Sequence, residues 1–190
     1  RHLWQLLGLD ELLESHMVPG AEQIPWPVMS FILTAARLIA PSSELAIEER
    51  FYPSTALEDI CGVAEEQVNK DRLYRALDHL LPHKAALEAH LKSRIGTLFE
   101  EPFDILLYDL TSTYFEGLGA SNPQARRGYS RDHRPDCVQV VIGLVVTRSG
   151  LPLGYEVFAG NQAESPTLED MMAKMETLYG KASRIWVCDR

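Results

Sequence analysis

The chain has 190 residues, of which 46% are hydrophobic and 24% are charged, and its formal net charge is −9. This composition indicates a globular protein with a substantial core and excludes an intrinsically disordered chain. No apolar run approaches the roughly 18 residues of a membrane span, so we expect no membrane partner. Three widely spaced cysteines and the lack of a recognisable signal peptide predict a reducing cytoplasm.

The first hundred residues show helical periodicity. A leucine pattern begins at Leu3, and an apolar segment over 28–39 predicts a buried helix. Ser43 is a candidate N-cap of a further helix, and an i, i+4 stripe predicts a helix over 84–99. We therefore predict a helical region over 1–100, with DNA binding or assembly as its candidate role.

Two shorter helical patterns flank Gly62. The second contains Lys70, Arg72 and Arg75, so the pair could form a helix-turn-helix whose second helix contacts DNA. An ordinary helical hairpin is the alternative, because four nearby acidic residues dilute the basic face.

Beyond Pro102 the pattern becomes strand-like. Apolar runs predict strands over residues 103–110, 138–147, 151–158 and 185–188. A helix is predicted over 166–178, with Ser165 as its N-cap. Strands one to three would form an antiparallel meander, and the helix would cross over to a fourth strand that lies parallel to the first. We therefore predict an α+β fold whose second region covers 101–190.

Two of the predicted strands lead into an aspartate. Asp109 belongs to the first run and Asp189 follows the last one, so the topology would bring both carboxylates to one edge of the sheet. Their mutual repulsion would be relieved by a divalent cation, and oxygen ligands favour Mg²⁺ or Mn²⁺. Considered alone, Asp109 could equally cap a turn through Thr111 or Ser112, and Asp189 could simply be solvated.

The loop between the first two strands lies in the one net-basic part of the sequence. Residues 117–155 carry five Arg and two Asp, a net charge of +3 in an acidic chain. Four arginines of this loop are candidate contacts to DNA phosphates, namely Arg126, Arg127, Arg131 and Arg134. The alternative is a solvated loop whose arginines pair with Asp132 and Asp136.

Four stretches follow one another in the second region. They read LYDLTST at 107–113, GYSRDHRPD at 128–136, LGYEVFAGN at 153–161 and WVCDR at 186–190. In this order they resemble the catalytic domain of DDE-type insertion-sequence transposases. The resemblance implies an RNase H-like fold, of which this chain would hold an incomplete part: the meander, the helix and the parallel fourth strand.

The resemblance also implies a chemistry and its partners. Asp109 and Asp189 would be the first two catalytic acids, which hold two Mg²⁺ or Mn²⁺ ions for attack of water or a DNA 3′-hydroxyl on a phosphodiester. The implied partners are double-stranded DNA, as transposon ends and target, and a second copy in a synaptic homodimer, within the bacterial cytoplasm at the nucleoid.

The third acid of the family, a glutamate in a motif of Tyr, Arg, Glu and Lys, is not found in these residues. We therefore expect little catalysis from this chain alone. A non-catalytic DNA-binding remnant, or an RNase H-like nuclease that does not join ends, is the alternative.

Overall fold

The computed structural model describes residues 1–100, 102–130, 132–181 and 183–188, with backbone only at 164 and 165. Helices occupy the first hundred residues, and a four-stranded sheet with one long helix follows them, so the predicted α+β class is confirmed. The chain divides into two compact units, residues 1–90 and 91–190.

The first unit contains α1 (His2–Leu6), α2 (Leu9–His16), α3 (Trp26–Ile39), α4 (Glu44–Ala46), α5 (Leu57–Cys61) and α6 (Lys70–Leu80), and α7 (Lys84–Phe99) begins in it and continues into the second unit. Helix α3 is the most apolar helix of the first unit and packs against α2 and α6. Met29, Ile32 and Ala36 of α3 are fully buried, and α6 packs against α3. The apolar sequence of α3 is thereby explained as core packing. In the part of the chain that the structure describes, no single helix is long and apolar enough to cross a membrane.

The predicted helix pair around Gly62 is present. Gly62 ends α5 in the left-handed conformation, at φ 65°, and the Asn69 side chain caps α6 by accepting the Arg72 backbone N–H at 3.0 Å. The Arg72 guanidinium donates to the Gln67 carbonyl and to the Gln23 side chain, so it is engaged within its own unit. The DNA-contacting role of this pair stays a prediction.

The second unit is built on a mixed sheet. Its strands are β1 (Ile105–Tyr114), β2 (Gln139–Thr147), β3 (Pro152–Ala159) and β4 (Ile185–Cys188), and its long helix is α8 (Glu164–Tyr179). The order is β3-β2-β1-β4, with β1 antiparallel to β2, β2 antiparallel to β3, and β4 parallel to β1. The predicted meander and parallel fourth strand are therefore confirmed. The predicted N-cap is wrong, because α8 begins earlier and its N-cap is Ala163.

One face of the sheet packs on α8. Leu106, Tyr108 and Leu110 alternate along β1 toward this face, where they form the core with Met171 and Met175 of α8. Each of these five residues is at most 6% exposed. The opposite face is less covered, which leaves Leu144 40% and Val187 48% exposed.

The loop between β1 and β2 is tied to the sheet at Gln139. Backbone hydrogen bonds of 3.0 and 2.9 Å join Arg126 and Gln139 in both directions. The Gln139 side-chain amide donates to the carbonyl oxygens of Tyr129 at 2.9 Å and Gly160 at 2.8 Å. Gln139 is only 2% exposed, so these bonds satisfy donors that would be costly to bury unpaired.

Two glycines allow this close approach. A Cβ on Gly128 would lie 2.0 Å from the Gly160 carbonyl oxygen. A Cβ on Gly160 would lie 2.0 Å from the carbonyl oxygen of Gln139 and 2.4 Å from that of Arg126. Backbone atoms cannot yield as a flexible side chain can, so only glycine fits at either position.

We predict that Gly160→Ala loosens the loop from the sheet. The overpacked backbone should lower the local opening free energy by roughly 1–3 kcal/mol, measured by hydrogen exchange at the amides of Arg126 and Gln139. Gly117→Ala is the matched control, because a Cβ on Gly117 meets no atom within 4 Å. Equal protection of these amides in both variants would contradict the proposed packing constraint.

Candidate functional site

Asp109 lies in the middle of β1. The strand continues through Thr111, Ser112 and Thr113 to Tyr114, each paired with a residue of β2, so Asp109 is not at a strand end as predicted. The alternative role of capping a turn through Thr111 or Ser112 is also excluded, because no turn follows. The strand extends beyond the apolar run because threonine favours strands and because these polar residues pair with β2.

The Asp109 carboxylate faces away from α8, on the less covered side of the sheet. It is exposed, and in the register its neighbour on β2 is Leu144. No hydrogen bond or ion pair joins this carboxylate to another described residue. Asp109 is therefore an accessible charge on a face that is otherwise largely apolar, and because it is exposed its carboxylate keeps its hydration.

Strand β4 runs parallel beside β1. The register pairs Ile105 with Ile185 and ends, in the described residues, at Tyr108 and Cys188. Asp189, the next residue in the sequence, lies outside the described residues, as does Arg131 of the basic loop.

The described residues form no metal-binding cluster around Asp109. Among the described residues, no group of three or more His, Cys, Asp or Glu side chains could hold a metal ion. Glu116 lies two residues beyond Tyr114, the end of β1, and Tyr114 is five residue steps, about 17 Å, from Asp109 along the strand. The cavity neighbours of Glu116 are Arg127 and Arg134.

The predicted DNA-contacting arginines differ in their engagement. Arg126 and Arg127 are exposed, and neither forms an ion pair with a described carboxylate. Arg126 donates to the Ala125 carbonyl at 3.0 Å, and Arg127 makes one long contact, 3.5 Å, to the Asp136 backbone carbonyl. Both guanidinium groups therefore remain available to an anion.

Arg134 is paired inside the loop. Its guanidinium donates two hydrogen bonds to the Asp136 carboxylate, at 3.0 and 2.9 Å, and lies 4.9 Å from the centre of the Tyr114 ring. Hydrogen bonding to Arg134 lowers the pKa of Asp136, which keeps that carboxylate ionised at neutral pH. Arg134 therefore follows the alternative of pairing within the loop. To contact a DNA phosphate, as predicted, Arg134 would have to exchange Asp136 for the phosphate.

Sequence reasoning missed Gln139, which positions the basic loop. A glutamine at the start of a strongly apolar strand was the available signal, since buried polar side chains need partners. Its partners at positions 129 and 160 could not be read from the sequence, because they come from two separate loops.

No protein-family model, curated protein or solved structure matches the chain. The family named from the sequence motifs stays a prediction, together with its fold name and activity. The structure itself provides the α+β architecture, the accessible Asp109 and the anchored basic loop.

Proposed function

We propose that the chain is part of a DDE-type insertion-sequence transposase, with the first four strands and first helix of an RNase H-like catalytic domain. One observation carries the proposal: Asp109 stands on the central strand without a partner among the described residues, beside the parallel strand that precedes Asp189 in the sequence. An exposed carboxylate that none of the described residues binds is suited to bind a cation from outside the protein.

The proposed acids are Asp109 and Asp189. If the β1–β4 register continues by one residue beyond Tyr108 and Cys188, the two aspartates become direct neighbours on parallel strands. Carboxylate oxygens suit Mg²⁺ or Mn²⁺, and Mg²⁺ is commonly held by one or two carboxylates together with substrate phosphates. Two bound ions would supply activation of the attacking hydroxyl and stabilisation of the leaving oxygen in the complete site.

The proposed ligand of the basic loop is double-stranded DNA. Arg126 and Arg127 would neutralise phosphates, and Gln139 would hold the loop in place while they do so. Arg131 stays a predicted contact, and Arg134 would contribute less because Asp136 already occupies its guanidinium. A synaptic homodimer on transposon ends and target DNA belongs to the same proposal.

We also propose the bacterial cytoplasm, at the nucleoid, as the location. The three cysteines, Cys61, Cys137 and Cys188, are all free thiols, which suits a reducing compartment.

Asp109→Asn should abolish metal-dependent strand cleavage by the intact enzyme that contains this chain, while binding to transposon ends stays nearly unchanged. The substitution keeps the shape of the side chain and removes the charge that a metal ion needs. The assay compares cleavage and strand joining in Mg²⁺ with end binding in a gel shift. Asp104→Asn is the control, because Asp104 is an exposed acid that directly precedes the same strand.

Cleavage retained in Asp109→Asn would refute the assignment. Metal-dependent cleavage by the wild-type enzyme without any joining of ends would instead identify an RNase H-like nuclease. DNA binding without cleavage under any condition would identify the protein as a non-catalytic DNA-binding remnant.

Replacing Arg126 and Arg127 together by alanine should weaken DNA binding by the 190-residue chain and flatten its salt dependence. Each lost phosphate contact reduces the slope of log K against log salt by about 0.9, so the slope should fall by about 2. Arg148→Ala is the matched control, since Arg148 lies in the turn between β2 and β3, also in the net-basic segment. An unchanged slope in the double variant would mean that these arginines are solvated and do not contact DNA phosphates.

A further inference from the structure

Strand β3 forms an edge of the sheet, because among the described residues it pairs with β2 alone. The outer side of such a strand presents a row of backbone N–H and C=O groups, which is a template for pairing with a strand of another chain. The carbonyl groups that point outward from β3 therefore determine whether a second copy can add a strand to this sheet.

Helix α8 covers two of these carbonyl oxygens. The Tyr179 hydroxyl donates to the Leu153 carbonyl at 2.9 Å, and the Lys174 ammonium donates to the Tyr155 carbonyl at 3.0 Å. Lys174 also pairs with the Glu156 carboxylate at 2.7 Å, and its side chain is only 18% exposed. These two contacts hold the Lys174 charge at the edge, where an approaching strand would have to displace it or bury it unpaired.

The basic loop covers a third carbonyl oxygen of β3. The Gln124 side-chain amide donates to the Val157 carbonyl at 2.7 Å. The Gln124 backbone carbonyl accepts the Gly160 N–H at 3.0 Å, so the loop runs beside the end of β3. The three covered carbonyls belong to residues 153, 155 and 157, the alternation that is expected of groups on one side of an antiparallel strand.

Two further features of β3 oppose the addition of a strand. Pro152 begins the strand, and proline has no backbone N–H to donate. The pairing with β2 passes from Gly154 directly to Pro152, so Leu153 forms a bulge that interrupts the regular edge. Proline, lysine and a bulge are devices by which natural proteins protect their edge strands from other chains.

We infer that Gln124, Lys174 and Tyr179 close the outer edge of β3 to a strand of a second copy. Each carbonyl that these side chains occupy is one that an added strand would need as an acceptor. The inference depends on neither DNA nor metal binding, so it stands or falls apart from the proposed function. It has a consequence for assembly: a homodimer of this chain would form through a surface other than the edge of β3.

The test removes the three donors together in the variant Q124A/K174A/Y179F of the 190-residue chain. By analytical ultracentrifugation it should self-associate at a concentration about tenfold lower than the wild type, because a second copy would then supply the donors that the carbonyls have lost. The Val157 amide, which points to the same side as its carbonyl, should exchange more slowly in the associated variant. The matched control is Q162A/K181A/Y129F, which removes the same side-chain groups at exposed positions of the same unit and should behave as the wild type.

A labelled peptide with the sequence of residues 152–159 is a second probe, because it can add to the edge as a single strand. It should bind the triple variant about tenfold more tightly than the wild type. Gln124→Ala alone, at an exposed position, should also bind it more tightly, so the test does not depend on the stability of the triple variant. Unchanged association and peptide affinity in these variants would overturn the inference. Association that leaves the exchange of the Val157 amide unchanged, or wild-type pairing through β3, would overturn it as well.

Discussion

The parallel pairing of β1 with β4 is the constraint on which the candidate site depends. Residues Ile105 to Tyr108 pair in order with Ile185 to Cys188, and β1 is bonded to β2 on its other side. The crossover through α8 is what allows a parallel neighbour, and it buries one face of the sheet while it does so. Asp109 is consequently fixed on the central strand but left on the accessible face.

The basic loop depends on a second constraint, the packing of Gln139. One buried amide joins the loop to the end of β3, and two glycines let the backbones meet. Because these contacts involve backbone carbonyls, they place the loop without using its arginine side chains. Arg126 and Arg127 are thus held on a rigid support with no ion pair to a described carboxylate, whereas Arg134 is held by Asp136.

The sequence predicted the architecture better than the site. Hydrophobic patterns located the strands and the long helices, because burial decides these elements. The pattern ended β1 at position 110, however, since it could not show that Thr111 and Thr113 continue the pairing with β2. Tertiary geometry determines the hydrogen bond from Gln139 to Gly160 and the pairing of Arg134 with Asp136. The periodicity of apolar residues carries no information about such contacts.

The most direct test of the central claim is to map Mn²⁺ binding on the chain by paramagnetic broadening of its backbone amide NMR signals. The account predicts that low Mn²⁺ broadens the amides of Asp109 and Leu144 first, in the wild type and in Asp104→Asn but not in Asp109→Asn. Broadening that is centred elsewhere, or that persists unchanged in Asp109→Asn, would contradict a metal site on the open face of β1.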